Sequence, residues 1–181
     1  MLWRRRPLSV APAPRRSFHG PYAALGGAYG VSSGFSVSPG VTAQPKGGSV
    51  LALGGYNFQM EHLVLGLEIA ARYSGERDGL TKNEFGITGS ARIGAAFADT
   101  LIFAHAGVGI ANMEGTQPTV VMGLGVEQNF WSSGFVRVGI DFEGVRMLTG
   151  QSSGGFFGGT VSQTQEFVWT SRFNALVGTR Y

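Results

Sequence analysis

The chain has 181 residues, enough for one domain and short for two. It has no cysteine, which excludes a disulfide framework and a thiolate metal centre, and no apolar run approaches the roughly 18 residues of a membrane-spanning helix. The formal charge of +3 belongs to the start: Arg4, Arg5, Arg6, Arg15 and Arg16 supply five of 14 basic groups, leaving 9 basic against 11 acidic, or −2.

Residues 1–19 are Arg- and Pro-rich and lack the apolar core of a secretory signal, so they read as a disordered basic tail or the remnant of a leader. A nucleic-acid-binding arm is the sharper and less favoured alternative, and no nucleic-acid partner is expected. Residues 20–181 form the domain. Their 30 glycines are about two and a half times average usage and sit inside alternating apolar runs rather than in a collagen period. A mean hydropathy of +0.09 with 14% charged residues suits strands with one apolar and one polar face.

Eight strands are predicted in chain order. The first two are about Pro21–Val31 and Ser49–Phe58, the second weaker because Leu51 and Leu53 fall on its inner face. The third, His62–Tyr73, is the clearest. Leu63, Leu65, Leu67, Ile69, Ala71 and Tyr73 share one face, while His62, Gly66, Glu68 and Arg72 share the other. A period of two over this length is a strand signal, and the length suits a tilted crossing of a bilayer. The remaining strands are about Glu84–Phe97, Leu101–Asn112, Val120–Phe130, Phe135–Glu143 and Glu166–Tyr181. Tight turns are expected at Gln59–Glu61, Ala98–Thr100 and Trp131–Gly134. Longer polar loops are expected at Ser32–Gly48, Ser74–Asn83, Met113–Thr119 and Gly144–Gln165. Alternating short turns and long loops are the layout of an outer-membrane barrel with short periplasmic connections. The predicted fold is all-β: a closed antiparallel eight-stranded transmembrane β-barrel.

Charge placement is the main physical argument. Glu68, Arg72, Glu84, Arg92, Glu127, Arg137, Asp141, Glu143, Arg172 and Arg180 each lie on the strand face opposite the apolar row. An arginine facing lipid costs about 2–4 kcal/mol at the midplane, and several would exceed the roughly 5–15 kcal/mol stability of a whole domain. Five acids and five arginines facing inward neutralise one another, so these ten are expected to form a structural interior network. Eight strands enclose only enough space for side chains, which argues against a charged conduction path. Tyr56, Phe58, Tyr73, Phe97, Phe130, Trp131, Trp169 and Tyr181, near strand ends, are expected to form interfacial girdles.

Catalytic and cofactor readings are weak. His19, His62 and His105 have no metal-ligand spacing, and His105 is expected to be a satisfied interior polar residue. No serine neighbours a strand histidine, and the Gly154–Gly159 run precedes no helix that could cradle a phosphate. No catalytic, metal or cofactor residues are assigned. Leu65→Asp should block membrane assembly, whereas Gly66→Ser on the inner face should be tolerated far better.

The segments Gly20-Pro21-Tyr22 through Gly30, Gly54-Gly55-Tyr56-Asn57-Phe58-Gln59, Leu65-Gly66-Leu67-Glu68, Gly123-Leu124-Gly125-Val126-Glu127 and Val136-Arg137-Val138 carry a resemblance. With them the chain resembles the small eight-stranded outer-membrane proteins of alphaproteobacteria, the surface-antigen, porin-family barrels related in shape to the OmpA transmembrane domain. The resemblance implies a bacterial outer-membrane protein, structural or surface-interacting, without catalytic residues to carry over. It also implies a C-terminal assembly signal read by the barrel-assembly machinery, here Phe173 and Tyr181 on one face, with tyrosine where the family usually ends in phenylalanine. Expected partners are outer-membrane lipid, that machinery and a surface or envelope protein. The alternatives are a narrow channel for small solutes, a membrane lipid-modifying enzyme with an acid or serine against His105, and a soluble lipocalin-like barrel with an apolar interior.

Overall fold

The computed structural model describes residues 17–32, 35–38, 41–43, 46–75, 84–112, 115–130, 133–151 and 162–181. Eight strands close into an antiparallel barrel: β1 (Gly20–Ser32), β4 (Lys46–Met60), β5 (Leu63–Ser74), β6 (Glu84–Phe97), β7 (Thr100–Asn112), β8 (Thr116–Asn129), β9 (Gly134–Gln151) and β10 (Ser162–Arg180). A separate small hairpin, β2 (Phe35–Ser38) with β3 (Val41–Ala43), lies in the connection between β1 and β4. The seam closes by pairing β1 with β10, from Tyr22 opposite Arg180 to Ser32 opposite Thr170, and with β4 on its other edge.

Alternation along each strand sorts side chains between lipid and lumen. Leu67, Ile69, Val108, Leu124 and Phe173 are each at least 64% exposed, whereas Glu127 is 0% and Arg137 3% exposed. Apolar groups outside and ionised groups inside invert the layout of a water-soluble barrel, which overturns the lipocalin-like alternative. Tyr56, Phe58, Phe97, Phe130 and Tyr181 project outward around the end with the short turns, and Tyr73 and Trp169 around the other. Trp131 lies outside the described residues.

The connections depart from the predicted layout in three places. First, β8 begins at Thr116, pairing with Asn112, so Met113–Thr119 is not a long loop but a three-residue connection. Second, β9 and β10 continue through much of Gly144–Gln165. Pairing of β9 with β8 stops at Val145, and of β10 with β1 at Thr170, yet β9 and β10 pair to Gln151 opposite Ser162. The hairpin therefore extends about 20 Å along the strand beyond the last β8–β9 pair, six residues at roughly 3.4 Å each. Third, the first two turns are two-residue turns, Glu61-His62 and Ala98-Asp99, with Glu61 at φ 54° and Ala98 at φ 52°. Residues 76–83 of the Ser74–Asn83 loop lie outside the described residues.

The boundary placed at residue 19 also moves. Phe18 is fully buried at the short-turn end of the lumen, packed with Val64, Ala96, Leu101 and Phe103, and its amide donates to Gln59 Oε1 at 2.6 Å. The next residue, His19, lies outside the wall, its ring edge-on to Tyr56 and Phe58 at 5.6 and 6.1 Å. The chain thus straddles the barrel rim, and the rest of the predicted tail, residues 1–16, lies outside the described residues.

Candidate functional site: the charged interior

The ten charged residues read from the sequence all project inward, and the structure divides them into two layers with Asp141 between. The layer nearer the short turns joins β5, β6, β8, β9 and β10. Arg137 Nη1 donates to Glu68 Oε2 at 2.7 Å, and Arg137 Nη2 and Arg92 Nη2 donate to Glu127 Oε2 at 3.2 and 3.3 Å. Arg180 pairs with the other oxygen of Glu127 and donates to Asn129 Oδ1 at 2.7 Å. Tyr22 completes it from β1: its hydroxyl donates to Glu68 Oε2 at 2.7 Å and accepts from Arg92 Nη1 at 3.1 Å.

Three arginines face two glutamates in this layer, a surplus of one positive charge. Aromatic faces meet it. Arg92 and Arg137 lie 4.5 and 4.9 Å from the Phe103 centroid, and Arg180 lies 4.9 and 5.0 Å from those of Phe18 and Phe135. Such contacts contribute about 0.5–2 kcal/mol each, the upper end when desolvated.

The second layer lies toward the long loops. Arg72 spans two acids, Glu84 and Glu143, and Glu143 spans two arginines, Arg72 and Arg172. Its charges balance.

Asp141, counted with the network in the sequence, joins neither layer. Its Oδ1 accepts from His105 Nε2 at 2.9 Å and its Oδ2 from Asn174 Nδ2 at 2.8 Å. The contact crosses an intervening strand: His105 is opposite Gly123, and Gly123 opposite Asp141. A Cβ at Gly123 would sit on both His105 Nε2 and Asp141 Oδ1, so only glycine leaves the path open. His105 is only partly satisfied, because its Nδ1 has no partner among the described residues.

Sequence reasoning missed Tyr22, Phe18 and the aromatic partners of the arginines. Tyr22 was legible, as the one bulky polar residue on the inward face of β1 beside Ala24 and Ala28. Phe18 carried no signal. The inner position of Gly66 is as expected, but its space is not: an added Cβ would lie 2.8 Å from Arg92 Cγ and 3.1 Å from Tyr56 O. Gly66→Ser therefore disturbs the network instead of being tolerated. Phe173 projects outward at 64% exposure, and Tyr181, following β10, donates its amide to Pro21 O at 3.0 Å.

With the geometry in place, comparison with solved structures is informative. Neisserial surface protein A (NspA) superposes with a TM-score of 0.61 at 16% identity, covering 90% of this chain and 97% of that one. Its fold is that of the small outer-membrane barrels. OprG of Pseudomonas aeruginosa, an outer-membrane protein, gives 0.55 at 10% identity, covering 90% and 96%. Ail, the attachment invasion locus protein of Yersinia pestis, gives 0.52 at 13% identity, covering 91% and 100%. No protein-family model matches the chain, and no curated protein matches it. The shared fold and the apolar exterior place the chain in the bacterial outer membrane.

Proposed function

We propose that this protein is a non-enzymatic component of the outer membrane that acts through its external surface, as a structural element or by engaging a surface or envelope protein. The observation that carries the reading is the double blockade of the lumen. One ion-pair layer and Phe18 fill the periplasmic half, and a second layer crosses the external half, which leaves the loops and the projecting β9–β10 hairpin to meet other molecules. A rigid barrel presenting variable loops is a common division of labour. The sequence motifs favour the surface-antigen, porin-family group. The outward row that includes Phe173 and ends at Tyr181 is proposed as the signal read by the barrel-assembly machinery.

One observation favours a second reading. A lipid-modifying enzyme requires an acid against His105, and Asp141 stands there at 2.9 Å. The pair lies inside the wall and between the two charged layers, away from the membrane's acyl chains, which supports the non-enzymatic reading. Bilayer recording and lipid analysis test both alternatives. Purified protein should give no discrete conductance steps, and membranes carrying it should show unaltered lipid acylation. Steps that survive removal of the external loops would move the function to the lumen, and altered acylation lost in His105→Gln would make it an enzyme.

A further inference from the structure

Where the barrel wall ends, two of its strands go on. β9 pairs with β8 only as far as Val145 and β10 with β1 only as far as Thr170, while β9 and β10 run on together to Gln151 opposite Ser162. The register of this ribbon is unbroken, with no bulge to twist an edge away. A two-stranded ribbon is marginally stable by itself, because each outer edge leaves a row of main-chain donors and acceptors without a strand partner.

The β10 edge is the more open of the two. Beside β9, β8 continues to Thr116, three residues past Thr119, where its pairing with β9 ends. Beside β10, β1 ends at Ser32 opposite Thr170, and no described residue pairs with 162–169 on that side. β2 and β3 follow β1 in the chain but pair with each other. The unpaired edge is eight residues long, about 27 Å at roughly 3.4 Å each, and every second residue of an antiparallel strand turns its N–H and C=O to the same side. Long edges are ordinarily blunted by lysine, proline or a bulge. Residues 162–169, Ser-Gln-Thr-Gln-Glu-Phe-Val-Trp, carry neither lysine nor proline.

The chemistry of the edge names its occupant. A row of main-chain donors and acceptors at strand spacing is matched along its length by another extended polypeptide. A second copy in the same membrane fits poorly. Membrane-spanning strands lean about 35–45° from the bilayer normal, so a copy turned by half a rotation about that normal would lay its β10 across this one at about 70–90°.

We propose that the β10 edge, residues 162–169, binds an extended segment of a partner protein by β-strand addition. Main-chain hydrogen bonds hold the added strand, and the ribbon becomes a three-stranded sheet. The inference deepens the proposed surface role and rests on it for the side of the membrane on which the partner is met.

Amide hydrogen exchange, read by NMR on folded protein in micelles, tests the site. The probe is a synthetic peptide copying residues 144–151, the stretch that already pairs with 162–169 on the other edge of β10. A copy N-methylated at every residue keeps the side chains and has no N–H to donate. Alternate amides of 162–169 should exchange fast in the free protein. Saturating peptide should slow them by about tenfold or more, and the methylated copy should leave them unchanged. Alternate amides already protected without peptide would mean that this chain covers its own edge. That result, no slowing by the peptide, or equal slowing by the methylated copy would each overturn the proposal. Orientation is tested apart. The chain has no cysteine, so Gln163→Cys gives a single site for a membrane-impermeant maleimide on intact cells. Labelling is the expected result; its absence, with peptide protection retained in micelles, would overturn the surface role and not the strand-addition site.

Discussion

Glu127→Gln should be among the most damaging single-atom changes this barrel can suffer. Glu127 is fully buried and accepts from three arginines: Arg92 and Arg137 at 3.3 and 3.2 Å on one oxygen, and Arg180 on the other. At an effective dielectric near 20, one such contact at 3.3 Å is worth about 5 kcal/mol before desolvation is counted. Burying the acid takes back much of the total, so replacing the whole cluster by apolar residues would cost little, but removing one partner leaves charge stranded. In this variant the layer would hold three arginines against Glu68 alone, and the glutamine NH2 would point a donor at guanidinium donors. The expected loss is about 3–5 kcal/mol. Urea unfolding in detergent micelles, followed by tryptophan fluorescence, measures it. Pairing the change with Arg180→Met lowers the excess from two positive charges to the one that the unaltered layer carries, and the double variant should recover at least about 1 kcal/mol over Glu127→Gln. A loss below about 1 kcal/mol, or a double variant no better than the single one, would refute the argument that Glu127 compensates the buried arginines around it.

The other expectations use the same unfolding assay unless stated. Gly123→Ala places a methyl group between His105 and Asp141 and should cost about 1–3 kcal/mol by overpacking, with loss of the hydrogen-bonded imidazole proton signal in NMR. Ala98→Gly relieves a left-handed residue at φ 52° and should stabilise by about 0.5–1 kcal/mol net of glycine's added chain entropy. Phe18→Ala opens a cavity beside Leu101 and Phe103 and should cost about 3 kcal/mol; no loss would mean that the N-terminal segment does not belong to the barrel. Leu65→Asp, facing lipid, should prevent heat-modifiable folding in membranes, whereas Thr88→Asp, facing the lumen, should permit it.

Much of this architecture was legible because the membrane forces a period of two on every crossing strand. The β6 bounds Glu84–Phe97 are those read from the sequence, where Phe85, Ile87 and Ile93 alternate with Thr88, Ser90 and Arg92. The signal fails where that pressure ends. Beyond the last β8–β9 pair, β9 and β10 continue paired with each other, and the polar run there looks like a loop. Thr116-Gln117-Pro118 likewise reads as a turn, although β8 has already begun. Phe18 is one aromatic in a basic, Pro-rich stretch, and a single residue has no period. Which face a charge occupies follows from alternation, but which partner it meets follows from register. Glu127 and Arg137 are direct neighbours across β8 and β9, whereas Arg92 reaches Glu127 across β7. His105 finds Asp141 only because Gly123 leaves a gap in the strand between them, a relation invisible until the strands are aligned.

The orientation of the β5 side chains bears most directly on the whole account. In bilayers containing a chain-labelled nitroxide lipid, methyl-labelled protein should show strong relaxation at Leu65, Leu67 and Ile69, with Val64 and Ala70 spared. Equal broadening of both sets, or broadening of Val64 and Ala70 alone, would contradict a barrel whose ionised groups line its interior.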